Sequence, residues 1–523
     1  MKRFVAISAC AALIAVGVGF STLRSPAAAA TADTTIVWGR CADAGLREAG
    51  ARCGMLDVPL DYEDPTGPQI QIAVSRILHT VPDVEYQGVM LVNPGGPGGS
   101  GLGLVVLGQY VPNNAGAAYD WIGFDPRGVG SSQPALSCLP NYFHGDRPPY
   151  VPRTQELEDI WLERSERYAD ACGVNAPELL SHLTTVDTVR DMDGIRQALG
   201  VEQINYFGFS YGTYLGQVYA TLFPGSLRRA VFDGTLDPRN VYYEANLLQD
   251  LGFERNIHIW FQWLAEYSSV YHLGRTEAAV TTRFYDAQRA LKRHPAGGVV
   301  GPDEWADAFL YAGYYQVVWT YLADVFAGWV HRSAVNKLIH AYEWADGPGD
   351  DNLFAVYSAV QCTDAQWPLD WATWLEDNWA THEQAPFYTW GNAWFNAPCL
   401  YWPAPAGVPT TVVGDETPVL LISETLDAAT PYEGSLYVRS VFPNAVLIAE
   451  PGGITHAGSL YGNACVDDKI AAFLATGELP ARLPGDVADV ECDPLPPPVP
   501  SSETPASRPD DVLTMRLIRS ARI

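Results

Sequence analysis

Basic residues are scarce in this chain: 32 Lys and Arg stand against 60 Asp and Glu, a formal net charge of −28 over 523 residues. Such an excess of negative charge repels phosphate backbones and anionic membrane surfaces, so no nucleic-acid partner is expected. Long apolar runs are nearly absent as well. The one run, residues 4–20, is short for a bilayer span, and no later stretch is long and apolar enough to cross, so no stable membrane anchoring is expected. Neither Cys-x-x-Cys nor His-x-x-x-His spacing occurs, which removes the usual zinc frameworks. The glycine-rich segment at 93–101 is not followed by Gly-Lys-Ser/Thr, and Pro97 in its middle argues against a dinucleotide-binding turn. No metal or cofactor is expected.

What is present begins with an export signal. Lys2 and Arg3 precede the apolar run, and Ala27 to Ala30 follow it, the pattern of a secretory signal peptide cleaved near Ala30. Cys10 lies inside the run, not after it where a lipid-bearing cysteine would stand. Removing residues 1–30 takes Lys2, Arg3 and Arg24 and no acid, which makes the balance more negative still. The remaining cysteines, Cys41, Cys53, Cys138, Cys172, Cys362, Cys399, Cys465 and Cys492, are even in number, and in an exported chain they favour disulfides. Their pairing does not follow from the count.

The 48% hydrophobic content supplies a sizeable core. Residues 69–74 alternate polar and apolar side chains at the period of a half-buried strand, read as an antiparallel edge element. Continuous apolar runs at 88–92, 121–124, 204–207, 229–232, 419–422 and 446–448 read as buried strands. A helix predicted from Thr185, as N-cap, to Gly200 leads into the run at 204. Strand and helix in alternation imply a parallel sheet. Residues 138–172 read as a surface excursion with one helix. Between about 240 and 410 the rhythm breaks into aromatic-rich helical spacing, at 251–267, 305–332 and 354–364, which is the pattern of an inserted helical cap. From Leu483 the Pro-rich tail reads as extended or disordered.

Gly208-Phe209-Ser210-Tyr211-Gly212 joins an apolar strand to a helix, the context a nucleophile elbow requires. A lone serine hydroxyl is a poor nucleophile, so Ser210 needs a histidine base and that histidine an orienting carboxylate. Asp427 and His456 each follow one of the two late strands, at the carboxyl ends where open parallel sheets build their sites. Asp233, after the strand that follows the elbow, is the rival acid; the order Ser, Asp, His favours Asp427.

Taken together, Gly-Phe-Ser-Tyr-Gly-Thr-Tyr-Leu-Gly at 208–216, the loop at 93–101, Asp-Pro-Arg-Gly-Val-Gly-Ser-Ser at 125–132 and Thr-Leu-Asp-Ala-Ala-Thr-Pro at 425–431 resemble the secreted tripeptidyl aminopeptidase family. That family is a prolyl-aminopeptidase-like branch of the α/β-hydrolases. The resemblance, which spans Cys41 to Cys492, implies an α/β-hydrolase fold: a mostly parallel sheet with a large, mainly helical cap inserted before the last two strands. The domains would be signal peptide 1–30, core 31–239, cap 240–410, core 411–482 and tail 483–523.

The resemblance further implies a serine exopeptidase acting on peptides with a free N-terminus. Ser210 would be the nucleophile, His456 the base and Asp427 its orienter, with the oxyanion held by N–H groups of Tyr211 and of Gly95 or Gly96. Cap carboxylates would bind the substrate's ammonium, with Glu254, Asp324 and Asp364 as candidates. The cysteines would pair in sequence order. Two departures from the family pattern stand out: no further cysteine pair early in the cap, and alanine at 457, after the histidine, where glycine is commoner. A carboxylesterase or lipase would use the same triad under a different cap. A non-catalytic binding protein on this scaffold would usually lack a triad member, and this chain has all three.

Overall fold

The computed structural model describes residues 35–346 and 350–500. The expected signal peptide, with Cys10, and residues 501–523 of the tail lie outside the described residues. Among the described residues ten strands form one sheet: β1 (Gly39–Arg40), β2 (Arg52–Pro59), β3 (Gln69–Ile77), β4 (Val89–Asn93), β5 (Asp120–Phe124), β6 (Ile204–Phe209), β7 (Leu227–Asp233), β8 (Val419–Glu424), β9 (Ala445–Glu450) and β10 (Val490–Glu491). Their order is β1-β2-β3-β5-β4-β6-β7-β8-β9-β10. The pairs from β5 through β10 are parallel and the first three are antiparallel. Every residue of β4, β6, β8 and β9 is buried, as unbroken apolar runs covered on both faces should be.

Three readings from the sequence need correction here. The strand at 69–77 is antiparallel but not an edge, because β2 pairs along its whole length. The helix Thr185–Ala198 is capped by Thr184, whose hydroxyl oxygen accepts from Asp187 N–H at 3.0 Å, while Thr185 is its first residue. The helical spacing at 305–332 belongs to two helices, Pro302–Tyr314 and Trp319–Arg332, separated by an extended Tyr315 and one tight turn. There the Trp319 indole folds back to donate to Ala312 O at 2.8 Å, so both helices press their aromatic faces into one core. Of the two readings of the tail, the extended one fits it as far as residue 500, where it follows a defined path along the core. Arg439 pairs with Asp489, β10 joins β9, and the Trp263 indole donates to Pro498 O at 3.0 Å.

Between β7 and β8 the chain makes helices from Tyr243 to Asn396; the earlier ones pack around Trp260, Phe284, Trp305, Phe309 and Phe326, and the later ones against the sheet's core and around Trp161, Trp390 and Trp394. The segment read as a surface excursion is a wall of this helical layer. Trp161 stacks on Trp394 with ring centroids 5.6 Å apart, and Arg147 is buried between Glu304 and Asp307. Four disulfides join Cys41 to Cys53, Cys138 to Cys172, Cys362 to Cys399 and Cys465 to Cys492. Each closes a local loop. No helix among the described residues is long and apolar enough to cross a membrane.

Candidate active site

The sheet and helices bring the carboxyl ends of β4, β6, β7, β8 and β9 to one rim, and the site stands there. Ser210 follows β6 and opens the helix Tyr211–Leu222 with φ 54° and ψ −128°. A non-glycine residue holds such angles only when its surroundings impose them. Here Ser210 N–H donates to Asp233 O at 3.0 Å, Thr213 Oγ1 donates to Ser210 O at 2.6 Å, and Gly212 lies so close that a Cβ would stand 2.8 Å from Asn93 O. The elbow therefore rests on the end of β4. The loop that continues from β4 crosses it: a Cβ on Gly95 would meet Phe209 O at 2.5 Å and Ser210 Cβ at 2.9 Å. Asp125 secures that loop, accepting from Ser100 Oγ at 2.5 Å, Gly101 N–H at 3.1 Å and Ser131 N–H at 2.8 Å.

His456 and Asp427 meet across the loops after β9 and β8. Nδ1 of the imidazole and Oδ2 of the carboxylate are 2.7 Å apart, and both residues are buried. Asp427 Oδ1 accepts from Ala429 N–H at 2.8 Å and Thr430 N–H at 3.1 Å, and Oδ2 also accepts from Thr430 Oγ1 at 2.8 Å. The carboxylate is thus fixed from three sides before it meets the ring. Burial, the largest single influence, lowers the imidazole's pKa, but the Asp427 charge and hydrogen bond together with the Asp233 charge outweigh it and raise His456 above its ordinary value. Nε2 is buried and bonds to no protein group. Asp233 does not touch the imidazole by hydrogen bond. Its Oδ2 accepts from Ser459 N–H at 2.8 Å, and burial pushes its pKa up to about 6.

Ser210 and Asp427 line one cavity of about 490 Å³, together with Gly96, Tyr242, Asn246 and Tyr314. Gln249, Tyr314 and Tyr357 form a wall shared with a smaller inner chamber of about 50 Å³, lined also by Asp307, Tyr388 and Asn392. None of the three carboxylates expected to bind an ammonium lines either space. Glu254 bonds His258 Nε2 at 2.9 Å and Phe387 N–H at 2.8 Å. Asp324 faces Lys337 at 3.3 Å on the surface. Asp364 is consumed by Thr185 N–H at 2.8 Å and Tyr242 Oη at 3.0 Å.

Two acids that sequence reasoning missed stand closer. Asp307 lines the inner chamber, bonded to Arg147 and to Tyr150 Oη at 3.0 Å. Asp250, 1% exposed, accepts from Asn392 Nδ2 at 3.0 Å and pairs with no Lys or Arg among the described residues; burial raises its pKa well above the carboxylate range. The signal was available: Asn246, Gln249 and Asp250 share one face of the helix Tyr243–Glu266, a polar cluster at i, i+3 and i+4.

A strained serine on a strand-to-helix elbow, with a buried histidine bonded to a buried aspartate past later strands of the same parallel sheet, defines a serine hydrolase of the α/β-hydrolase fold. Comparison with known proteins narrows the class. A family model described as TAP-like protein matches residues 385–492. The tripeptidyl aminopeptidase of Streptomyces lividans is 40% identical over 482 residues, 90% of this chain and 88% of that protein. Serine protease Hip1 of Mycobacterium tuberculosis is 30% identical, covering 82% of this chain and 86% of that one, and the carboxylesterase B of the same species is 31% identical, with 82% and 85% covered. The chain belongs to the tripeptidyl aminopeptidase family of α/β-hydrolases.

Proposed function

We propose that this chain is a secreted serine exopeptidase that removes short peptides from free N-termini through an acyl-enzyme on Ser210. In this reading Ser210 Oγ attacks the scissile carbonyl as His456 Nε2 takes its proton, and Asp427 stabilises the imidazolium that forms. Gly95 N–H is already committed to Asn93 Oδ1 at 2.8 Å, so Gly96 N–H and Tyr211 N–H are the donors for the oxyanion. His456 returns the proton to the departing amine, and water then releases the acyl peptide by the same steps in reverse. The four disulfides suit an oxidising compartment and support export.

The observation that carries the N-terminal specificity is the inner chamber behind the cavity, where Tyr314, Tyr357 and Tyr388 surround a small space edged by Asp307 and adjoining Asp250. Aromatic faces and carboxylates together suit a desolvated ammonium. An ammonium there would favour the ionised form of Asp250 against the burial that raises its pKa, and acetylating the amine would remove that pairing, a loss of about 3 kcal/mol. The test is hydrolysis of one chromogenic peptide, free and N-acetylated, beside a short-chain acyl ester. A free peptide cleaved about 100-fold faster than its acetylated form supports the exopeptidase reading. Equal rates, with fast ester cleavage, would turn the assignment to an esterase.

A further inference from the structure

Glu424 ends β8 directly opposite Glu450 at the end of β9, and both side chains are buried. The turn that carries His456 is wound around the Glu424 carboxyl. Oε2 accepts from Thr455 N–H, the residue before the histidine. A Cβ on Gly453 would overlap this carboxyl, and one on Gly458 would stand 3.0 Å from Oε1. The glycines on either side of His456 thus make room for one side chain from the neighbouring strand. Further bonds tie the two loops together: Leu426 N–H to Gly453 O at 2.9 Å, Thr425 N–H to Glu450 O at 3.1 Å and Gly452 N–H to Thr425 Oγ1 at 2.8 Å.

The charges around this carboxyl are nearly all negative. Asp233 faces it from β7, Glu450 from β9 and Asp427 from its own loop, while Tyr461 and Asp467 lie beyond the His456 turn. Glu450 accepts from Asn463 Nδ2 at 2.6 Å, and Asp467 from Leu460 N–H at 2.7 Å. Among the described residues no Lys or Arg pairs with Glu424, Glu450 or Asp233. His456, in the turn itself, is already engaged by Asp427. Burial, then repulsion from Glu450, pushes Glu424 well above the ordinary range, and burial lifts Glu450 to about 7.

We propose that Glu424 is a positioning residue for His456 that works as a neutral acid: its uncharged carboxyl accepts the Thr455 N–H and lets the histidine turn close around it. Loss of that proton as the pH rises places an unpaired charge among buried carboxyls and opens the turn, which withdraws the imidazole from the reaction. The inference rests on His456 acting as the base of the proposed triad.

The experiment uses the full chain and two readouts. In the first, kcat is followed from neutral to strongly alkaline pH in wild type, Glu424→Gln and Glu424→Ala. Gln keeps the shape and an acceptor for Thr455 N–H but cannot ionise. The ratio of kcat at pH 9.5 to kcat at pH 7 should rise at least about fivefold in Glu424→Gln relative to wild type. Glu424→Ala should lose tenfold or more in kcat with KM little changed, and Glu424→Gln should recover most of that loss. In the second, the low-field NMR signal of the His456 Nδ1–H is followed without substrate. It should disappear on raising the pH in wild type and persist in Glu424→Gln. Because this signal needs no peptide, it stands or falls apart from the exopeptidase reading. Superimposable alkaline limbs and NMR midpoints in wild type and Glu424→Gln would overturn the proposal, and the Gln variant decides it alone should Glu424→Ala not fold.

Discussion

Replacing Asp427 by Asn changes one oxygen to an amide nitrogen, and the surroundings dictate which. Oδ1 accepts from two backbone N–H groups, Ala429 at 2.8 Å and Thr430 at 3.1 Å, so the amide oxygen must stay there. The new NH₂ then faces His456 Nδ1, 2.7 Å away in the native protein. An NH₂ donates, so Nδ1 becomes the acceptor and the ring proton moves to Nε2, where it blocks acceptance of the Ser210 proton. The fold loses little, because shape and backbone contacts are kept. Activity should fall by roughly 10³ to 10⁴ in kcat/KM, about 4 to 5.5 kcal/mol of transition-state stabilisation. The Asp427 charge also raises the native imidazole pKa, so wild-type kcat/KM should fall, as the pH drops, through an apparent pKa above 6.5, and the variant's residual activity should hold to lower pH. The assay is kcat/KM for a chromogenic tripeptide from pH 5 to 9, with thermal melting as the folding control. A variant within tenfold of wild type, or a larger loss in Asp233→Asn, would refute the assignment of the orienting acid.

The other expectations are brief. Asp250→Asn should lower kcat/KM for free peptides by about 100-fold while changing the ratio for a short acyl ester little, because only the peptide brings an ammonium; equal losses on both substrates would remove Asp250 from ammonium binding. Cys362→Ser with Cys399→Ser frees a 37-residue loop and should cost roughly 4 kcal/mol by denaturant unfolding on chain-entropy grounds; an unchanged midpoint would contradict it. Ala457 holds φ 54°, a left-handed angle, so Ala457→Gly should stabilise the protein by up to about 1 kcal/mol in the same measurement, and a destabilised variant would contradict this reading of the backbone.

The parts of this molecule that local pattern encodes were legible, and the parts that distant packing decides were not. The buried strands announce themselves as apolar runs, and Ser210, Asp427 and His456 stand where turns end those runs. The alanine after His456 was noticed as a departure from the family pattern, and its left-handed angle supplies the physical reason that glycine is commoner there. Residues 138–172 do hold the one helix expected, Gln155–Asn175, and expose much of their polar surface, but their attachment was not legible: Arg147 is satisfied by Glu304 and Asp307 more than 150 residues away and Trp161 by Trp394. The ammonium candidates failed for a related reason. Glu254 and Asp364 are acids in the helical layer, but each is spent on a backbone N–H that only the fold brings near, that of Phe387 and that of Thr185.

The central claim is that Ser210 carries a peptidyl group released from a substrate's free N-terminus. It is tested most directly by mixing the enzyme with a tripeptidyl chromogenic ester, quenching in acid within the first turnover, and mapping the protein by mass spectrometry. The account predicts an adduct of the unblocked tripeptidyl mass on the peptide that contains Ser210, absent in Ser210→Ala, which should also show no turnover. An adduct on another residue, or a Ser210→Ala protein that still cleaves the substrate, would contradict it.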